Sequence, residues 1–189
     1  MKKIYLVAAS AMMVYFLLAL AYQQIYQEEA STPRPRIDVA VSSETIKLGQ
    51  SFNVTVWSYN EGDAADLQTV SIGFPQNSGF DGIRIVSYDF LQSPKMIQIG
   101  DDVGTQYMGS QATIPSQYPM IEAYSRPAKP GDTFHMKIEI TPTQMGPFHV
   151  YAKSVAMPHS DAQSNFPTSG LLDHQDEYVL DFLVMVVSP

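Results

Sequence analysis

The chain of 189 residues contains no cysteine. This absence excludes disulfide bonds, thiolate metal ligands, a cysteine nucleophile and lipid attachment through cysteine. Charge is also scarce, since charged residues make up 16% of the chain, below the ~25% typical of soluble domains. With 11 basic residues against 19 acidic ones the net charge is −8, so the chain lacks the basic face that binds nucleic acid. The sequence therefore predicts no nucleic-acid partner.

Sequence signatures of the common catalytic sites are missing as well. There is no Gly-x-Ser-x-Gly nucleophile elbow, no phosphate-binding loop and no His-Glu-x-x-His zinc motif. Serine, histidine and aspartate are present, but no spacing among them indicates a catalytic triad. The sequence therefore predicts no catalytic residues and no cofactor, and it gives no support to a hydrolase.

The longest apolar run lies at the amino terminus. Residues 4–21, which read IYLVAASAMMVYFLLALA, carry no charge and follow Lys2 and Lys3. A positive end before an apolar stretch is typical of an export signal, and the positive end stays in the cytoplasm. The pattern therefore predicts that the rest of the chain lies on the extracytoplasmic side.

Two interpretations of this run are open. Residues 4–22 approach the ~20 residues that cross a bilayer as a helix, and three tyrosines in the run suit membrane interfaces. This favours a single-pass anchor over residues 1–22, in the cell membrane. The alternative is a cleaved signal segment, because Ala19-Leu20-Ala21 has the small-x-small pattern of a signal-peptidase site.

A polar linker with two prolines, residues 23–36, precedes a domain over residues 37–189. Several stretches of this domain alternate apolar and polar residues with the period of β-strands. The clearest begin at Ile37, Phe52, Phe134 and Phe148, and residues 67–74 and 83–90 are further candidates.

The rest of the domain is less regular. Residues 92–128 have no clean period, which predicts a long insertion with at most a short strand at residues 96–99. The last strand, residues 178–187, is apolar on both faces apart from Asp181, so we expect it to be central in its sheet or covered by a partner. Short strands separated by Gly and Pro turns predict an all-β sandwich of immunoglobulin type.

Three segments resemble cupredoxin-like domains. Residues 46–56 resemble their x-G-x-x-V-x-x strand, and residues 129–133 (KPGDT) resemble the turn before their penultimate sheet segment. Residues 146–152 (GPFHVYA) resemble the P-G-x-Y-x-x-x-C strand that precedes their copper-ligand loop. An N-terminal span followed by such a domain is similar to subunit II of haem–copper oxidases and to the B subunit of ammonia and methane monooxygenases. The resemblance implies an immunoglobulin/cupredoxin-like β-sandwich preceded by one transmembrane helix.

The copper ligands of those families are not matched in this sequence. The thiolate positions of the oxidase family fall at Ala152 and near Ala156, and the His-x-His of the monooxygenase family falls at His149 and Tyr151. The resemblance therefore implies a degenerate domain without that copper centre. Quinol-oxidising members of the oxidase family lack the centre as well.

A different metal site is an alternative for the connection before the last strand. This connection contains His159, Asp173 and His174, and His149 joins them if the loop folds back. Imidazole and carboxylate ligands suit zinc or copper(II). A solvated loop whose Asp and His residues form local turns and caps accounts for the same residues equally well.

Two further positions are candidates for contacts outside the domain. Leu171 and Leu172 are bracketed by Pro, Gly and a polar cluster, which is typical of an apolar anchor for another chain. The same leucines also suit the end of the sandwich core. Asn53-Val54-Thr55 is an N-glycosylation sequon, so Asn53 is a glycosylation candidate in an exported domain.

The anchor and the resemblance together predict a non-catalytic accessory subunit of a membrane respiratory complex. Its β-sandwich would cover the extracytoplasmic face, and its partners would be other membrane-protein subunits. One alternative is a free-standing cell-surface immunoglobulin-like adhesion or structural domain. The other is a metal-carrying subunit that uses His159 and His174.

Overall fold

The structure is a computed structural model that describes residues 12–18, 32–103, 114–158, 169–173 and 178–189. The chain divides into two compact units, Met1–Ala30 and Ser31–Pro189. In the first unit, the described residues 12–18 form a helix with exposed side chains. All other described residues belong to the second unit.

Within the described residues, no helix is long and apolar enough to cross a membrane. This finding contradicts the transmembrane anchor predicted over residues 1–22. It also contradicts the single-pass localisation in the cell membrane that depended on the anchor.

The described part of the second unit consists of strands and connections, which confirms the all-β prediction. The connections after β3 and before β10 contain Gly, Pro, Asn or Asp, residues that favour chain reversal. The strands are β1 (Pro35–Val41), β2 (Thr45–Lys47), β3 (Phe52–Asn60), β4 (Ala65–Gly73), β5 (Ile83–Tyr88), β6 (Lys95–Ile97), β7 (Asp102–Val103), β8 (Ile114–Pro115), β9 (Met120–Ser125), β10 (Thr133–Ile140), β11 (Gly146–Pro158), β12 (Leu171–Leu172) and β13 (Tyr178–Val187).

These strands form two main sheets. The smaller sheet has the order β1-β3-β10-β5, and all of its pairs are antiparallel. The larger sheet has the order β12-β13-β11-β4-β9-β6, and β2 adds to β13 in parallel. Strands β7 and β8 pair separately.

The hydrophobic core lies between the two sheets. Val56 and Ile138 from the smaller sheet belong to the same buried cluster as Ile72 and Val150 from the larger one. Phe52 and Phe148 meet edge to face across the core with their ring centroids 5.7 Å apart. The second unit is therefore a β-sandwich.

The strand order is that of a constant-type immunoglobulin domain, in which strands A, B, E and D form one sheet and C, F and G the other. Here β1, β3, β10 and β5 take the places of A, B, E and D, and β4, β11 and β13 take those of C, F and G. The immunoglobulin type of the predicted sandwich thus agrees with the topology.

Among the described strands of more than three residues, one was not predicted. β9 lies inside residues 92–128, which the sequence presents as irregular, and it pairs with both β4 and β6. Its side chains are buried on both faces, because Ile121 and Ala123 face the core while Met120 joins Ile97 and Tyr118 in a second cluster outside the sheet. A strand that is buried on both faces shows no alternation of apolar and polar residues. The sequence of β9 therefore lacks the period of two from which a strand is predicted.

Candidate functional site on the outer face of the larger sheet

Strand β11 turns every second side chain away from the core. Phe148, Val150 and Ala152 are buried between the sheets, whereas His149, Tyr151 and Lys153 lie on the outer face of the larger sheet and are half-buried. The predicted division of this strand into an apolar and a polar face is confirmed. The three outward side chains each contact a residue from another part of the chain.

His149 is held by a carboxylate on the neighbouring strand. Its Nδ1 lies 2.9 Å from each of the two carboxylate oxygens of Asp181 on β13, and its backbone N–H donates to Oε1 of Gln76 over 3.1 Å. Because a carboxylate only accepts hydrogen bonds, the proton of the neutral imidazole sits on Nδ1. This leaves Nε2 as an acceptor, the arrangement of a metal-binding or proton-accepting histidine.

The described residues do not complete a metal site around His149. Among them, no three His, Asp or Glu side chains come together as metal ligands would. Asp173 lies beside Lys153, while His149 pairs with Asp181. His159 and His174 lie outside the described residues.

Strand geometry sets a condition on the predicted metal site. His149 lies near the start of β11 and Pro158 at its end, nine residues apart, which at ~3.3 Å per residue is about 30 Å. A site that joined His149 to His159 would have to bridge this distance. The metal site at these residues therefore stays a prediction.

Tyr151 occupies the middle of the outer face. Its ring contacts the ring of Tyr118 edge to face at 5.8 Å, and Tyr118 itself covers Gly73, where a Cβ would lie only 2.4 Å from the Tyr118 ring. Burial raises the pKa of the Tyr151 hydroxyl above its ordinary value, and the negative charges of Asp181 and Asp173 raise that pKa further. At the pH at which the hydroxyl of a free tyrosine begins to ionise, the Tyr151 hydroxyl therefore stays protonated.

This shift predicts a pH dependence of stability. Because the pKa of Tyr151 is higher in the folded than in the unfolded chain, its stabilising effect is complete below pH about 10 and is lost as the pH rises through the folded value. Denaturation followed at pH 9 to 12 should show a shallower alkaline loss of stability for Tyr151→Phe than for the unchanged protein. Tyr88→Phe, at an exposed position, is the control; equal slopes for both variants would contradict the prediction.

Lys153 forms an ion pair that fastens β12 to the sheet. Its Nζ lies 3.4 Å from Oδ2 of Asp173, and the side chains are 11% and 1% exposed respectively. Asp173 directly follows β12, whose residues Leu171 and Leu172 pair with Val179 and Tyr178 of β13. Two charges that are shielded from water lose their hydration, and only a close and well-oriented contact between them compensates this loss. The ion pair therefore holds the end of β12 close to β11.

Beside this pair lies a group of exposed apolar side chains. Leu171 is 46% exposed and Leu172 is 51% exposed, so neither belongs to the core. We use the term docking surface for Leu171, Leu172 and Tyr178, the exposed residues where β12 pairs with β13. The prediction that Leu171 and Leu172 contact a partner stays a prediction.

Strand β13 differs in part from its expected position. It lies inside the larger sheet between β11 and the short strands β12 and β2, and Val184 and Val186 fill the core. Leu183 and Met185 point away from the core and are exposed, Leu183 to 46%. The apolar character of both faces thus comes from the core on one side and from exposed apolar residues on the other.

Asn53 lies on β3 in the middle of the smaller sheet, opposite Glu139 of β10. Its backbone N–H donates to the Ser42 hydroxyl over 2.9 Å, and the residue is half-buried. Glycosylation of Asn53 stays a prediction.

Sequence reasoning placed Lys153 on the polar face of β11 but did not pair it with Asp173, and it did not connect Asp181 with His149. The signal for Asp181 was present, because it is the single charged residue in an otherwise apolar strand. Its partner His149 is 32 positions away, and only the register of β11 against β13 brings the two together. No local pattern in the sequence carries that register.

No protein-family model matches the chain, and no curated protein matches it. Among solved structures it is similar to a CARDB domain from Pyrococcus furiosus at 13% identity, covering 83% of this chain and 96% of that one with a TM-score of 0.41. It is similar to an uncharacterized immunoglobulin-like protein from Nocardia farcinica at 10% identity, covering 79% and 98% with a TM-score of 0.44. It is also similar to the major pilin subunit of Bacillus cereus at 14% identity, covering 82% of this chain but 41% of the pilin, with a TM-score of 0.43.

The strand order corrects the predicted resemblance, because the two sheets have the immunoglobulin order. The resemblance to subunit II of haem–copper oxidases and to the B subunit of ammonia and methane monooxygenases was wrong. The predicted function as an accessory subunit of a respiratory or oxidase complex was wrong as well, because that prediction combined the resemblance with a membrane anchor.

Proposed function

We propose that the second unit is a free-standing, non-catalytic immunoglobulin-like domain of the adhesion or structural kind, which binds another protein through the docking surface. The observation that carries this proposal is the exposure of Leu171 and Leu172 on β12 beside Tyr178 of β13. Exposed apolar groups in a contiguous patch mark interaction sites in folded domains.

The composition of the docking surface supports a protein partner. Its side chains are apolar or aromatic, and aromatic residues such as Tyr178 are enriched at the centre of protein–protein interfaces. A nucleic-acid partner is disfavoured by the net charge of −8.

Substitution of both leucines tests the proposal. Leu171→Asp with Leu172→Asp should abolish partner binding, because two charges would have to be buried in the contact. Folding should be retained, because both side chains are already exposed. The measurement combines circular dichroism of the purified domain with cross-linking on intact cells.

The smaller sheet offers a matched control. Val86 and Tyr88 on β5 are also exposed apolar residues, so Val86→Asp with Tyr88→Asp makes the same change of charge elsewhere. Partner binding should survive in this control. If the β12 variant binds as well as the control does, or if it loses its β-structure, the leucines do not act as the docking site.

A further inference from the structure

Lys153 and Asp173 bring an amine and a carboxyl group together away from water. Nζ of Lys153 lies 3.4 Å from Oδ2 of Asp173, and the two side chains are 11% and 1% exposed. Oδ2 is bonded to Cγ, the carbon atom that an amine attacks when it forms an amide. Groups held at about 3 to 3.5 Å from one another have the separation of reactants. The pair therefore has the positions of two reacting groups as well as those of an ion pair.

A third buried group, the carboxyl group of Glu122, lies in the same row of side chains. Lys153 of β11 pairs with Ser71 of β4, and Ser71 pairs with Glu122 of β9, so all three lie on the outer face of the larger sheet. Neighbouring strands are about 4.8 Å apart, which puts the backbone of Glu122 about 10 Å from that of Lys153. Ser71 between them is small, so it leaves room for the two longer side chains. Glu122 is 1% exposed and Ser71 is 7% exposed.

Transfer of one proton within the Lys153–Asp173 pair supplies the reactive forms. It converts the ammonium and the carboxylate into a neutral amine, which is a nucleophile, and a neutral carboxylic acid, whose hydroxyl group is able to leave. Burial lowers the cost of this transfer, because the neutral groups need less hydration than the two charges do. A carboxyl group such as that of Glu122 takes up and returns protons in reactions of this kind.

We propose that Lys153 and Asp173 become joined by an amide bond between their side chains, with Glu122 as the proton carrier. A bond forms between Nζ and Cγ, the bond from Cγ to the hydroxyl oxygen breaks, and this oxygen leaves as water. Glu122 takes the proton that Nζ loses and returns it to the departing oxygen. No atom is oxidised or reduced, and the reaction consumes only the two side chains.

The amide bond ties β11 covalently to the chain that follows β12. The two residues are 20 positions apart, so the bond closes a loop. A disulfide cannot make such a link, because the chain contains no cysteine. Closing a loop restricts the unfolded chain and thereby stabilises the folded one. The modification goes beyond the proposed function and does not depend on a partner.

Trypsin digestion of the denatured full chain tests for the bond. Lys153 is the last lysine or arginine of the sequence and Lys137 precedes it, so an unmodified chain gives two separate peptides, 138–153 and 154–189. An amide at Lys153 removes the charge that trypsin recognises. The expected product is therefore a single peptide, 138–189, that is lighter by one water molecule in mass spectrometry.

Three variants check the identity of the bond. Lys153→Arg should give the two separate peptides at full mass, because the guanidinium group stays protonated and does not attack. Lys137→Arg makes the same exchange on β10 of the smaller sheet and should keep the bond. Asp173→Asn should form the same amide by loss of ammonia in place of water, so its peptide 138–189 should have the same mass as that of the unchanged protein.

The role of Glu122 requires a measurement of rate. In Glu122→Gln, bond formation after cell-free synthesis should be slower by on the order of 100-fold, because the amide side chain does not carry the proton. Lys95 on β6 lies opposite Glu122 and is exposed, so Lys95→Met is the control for a disturbance around Glu122. This control should form the bond at the original rate. Equal slowing in both variants would contradict the role of Glu122 as proton carrier.

The remaining outcomes separate the bond from its alternatives. Two tryptic peptides at full mass from the unchanged protein would show that Lys153 and Asp173 form an ion pair only, and the proposal would be wrong. A peptide 154–189 that has lost water, with Lys153 still cut by trypsin, would show an aspartate closed on its own backbone and would overturn the amide bond as well. Formation of the bond at the original rate in Glu122→Gln would leave the bond in place and remove Glu122 from the reaction.

Discussion

Truncation of Phe52 to alanine is expected to lower the free energy of unfolding by about 4 kcal/mol. Phe52 lies on β3 of the smaller sheet and is 1% exposed. Its ring meets Phe148 of β11 edge to face at 5.7 Å and an interplanar angle of 80°, so the pair joins the two sheets at one end of the core. The substitution removes the buried ring, leaves a cavity and breaks the aromatic pair, which by itself contributes about 1 kcal/mol.

Urea denaturation of the protein measures this loss of unfolding free energy. Leu91→Ala is a suitable control, because Leu91 is a large apolar residue that is exposed and its truncation leaves no cavity. A domain of this size has a total stability of about 5 to 15 kcal/mol, so the Phe52 variant should unfold at a much lower denaturant concentration. A loss below about 1 kcal/mol would show that the two sheets are not packed together at Phe52.

Strands with one buried face could be predicted from the sequence. Strand β3 alternates Phe52, Val54 and Val56 with residues on the outer face, and β10 does the same from Met136 to Ile140. In both, the period of two reflects a core on one side and solvent on the other. The two-sheet fold followed from such strands, whereas their order did not.

Strands with apolar residues on both faces could not be predicted from an alternating pattern. β9 is buried against the core and also under Tyr118, so its sequence shows no alternation. β13 has apolar residues on both faces, which is equally consistent with a strand inside a sheet and with a strand that carries a docking surface. In the structure β13 lies inside the larger sheet, and its outward residues Leu183 and Met185 are exposed.

The candidate site depends on register, which the sequence does not encode locally. Asp181 meets His149, and Asp173 meets Lys153, across separations of 32 and 20 positions. A shift of one residue between β11 and β13 would turn Asp181 toward the core and break the pair with His149. The three resembling segments, by contrast, were all local patterns that immunoglobulin-type strands and turns share, and so they could not distinguish one sandwich from another.

Asn60 is the buried polar residue whose loss should have the second large effect on stability. It ends β3, is 1% exposed, and its amide group joins three parts of the chain. The Nδ2 group donates to the carbonyl oxygens of Asp63 and Ala128 over 2.7 and 3.1 Å. The Oδ1 atom accepts from the backbone N–H groups of Arg34 and Gly62, each over 3.2 Å.

Substitution of Asn60 by alanine is therefore expected to lower the free energy of unfolding by about 3 kcal/mol, because the partners of the lost amide would remain partly buried without it. The turn has little freedom to adapt, since a Cβ at Gly62 would lie 2.3 Å from the carbonyl oxygen of Thr32. Asn53→Ala, at a half-buried position of the same strand, should cost far less and serves as the control. Equal losses for the two variants would mean that the Asn60 amide does not hold the start of β1, the turn after β3 and the chain before β10 together.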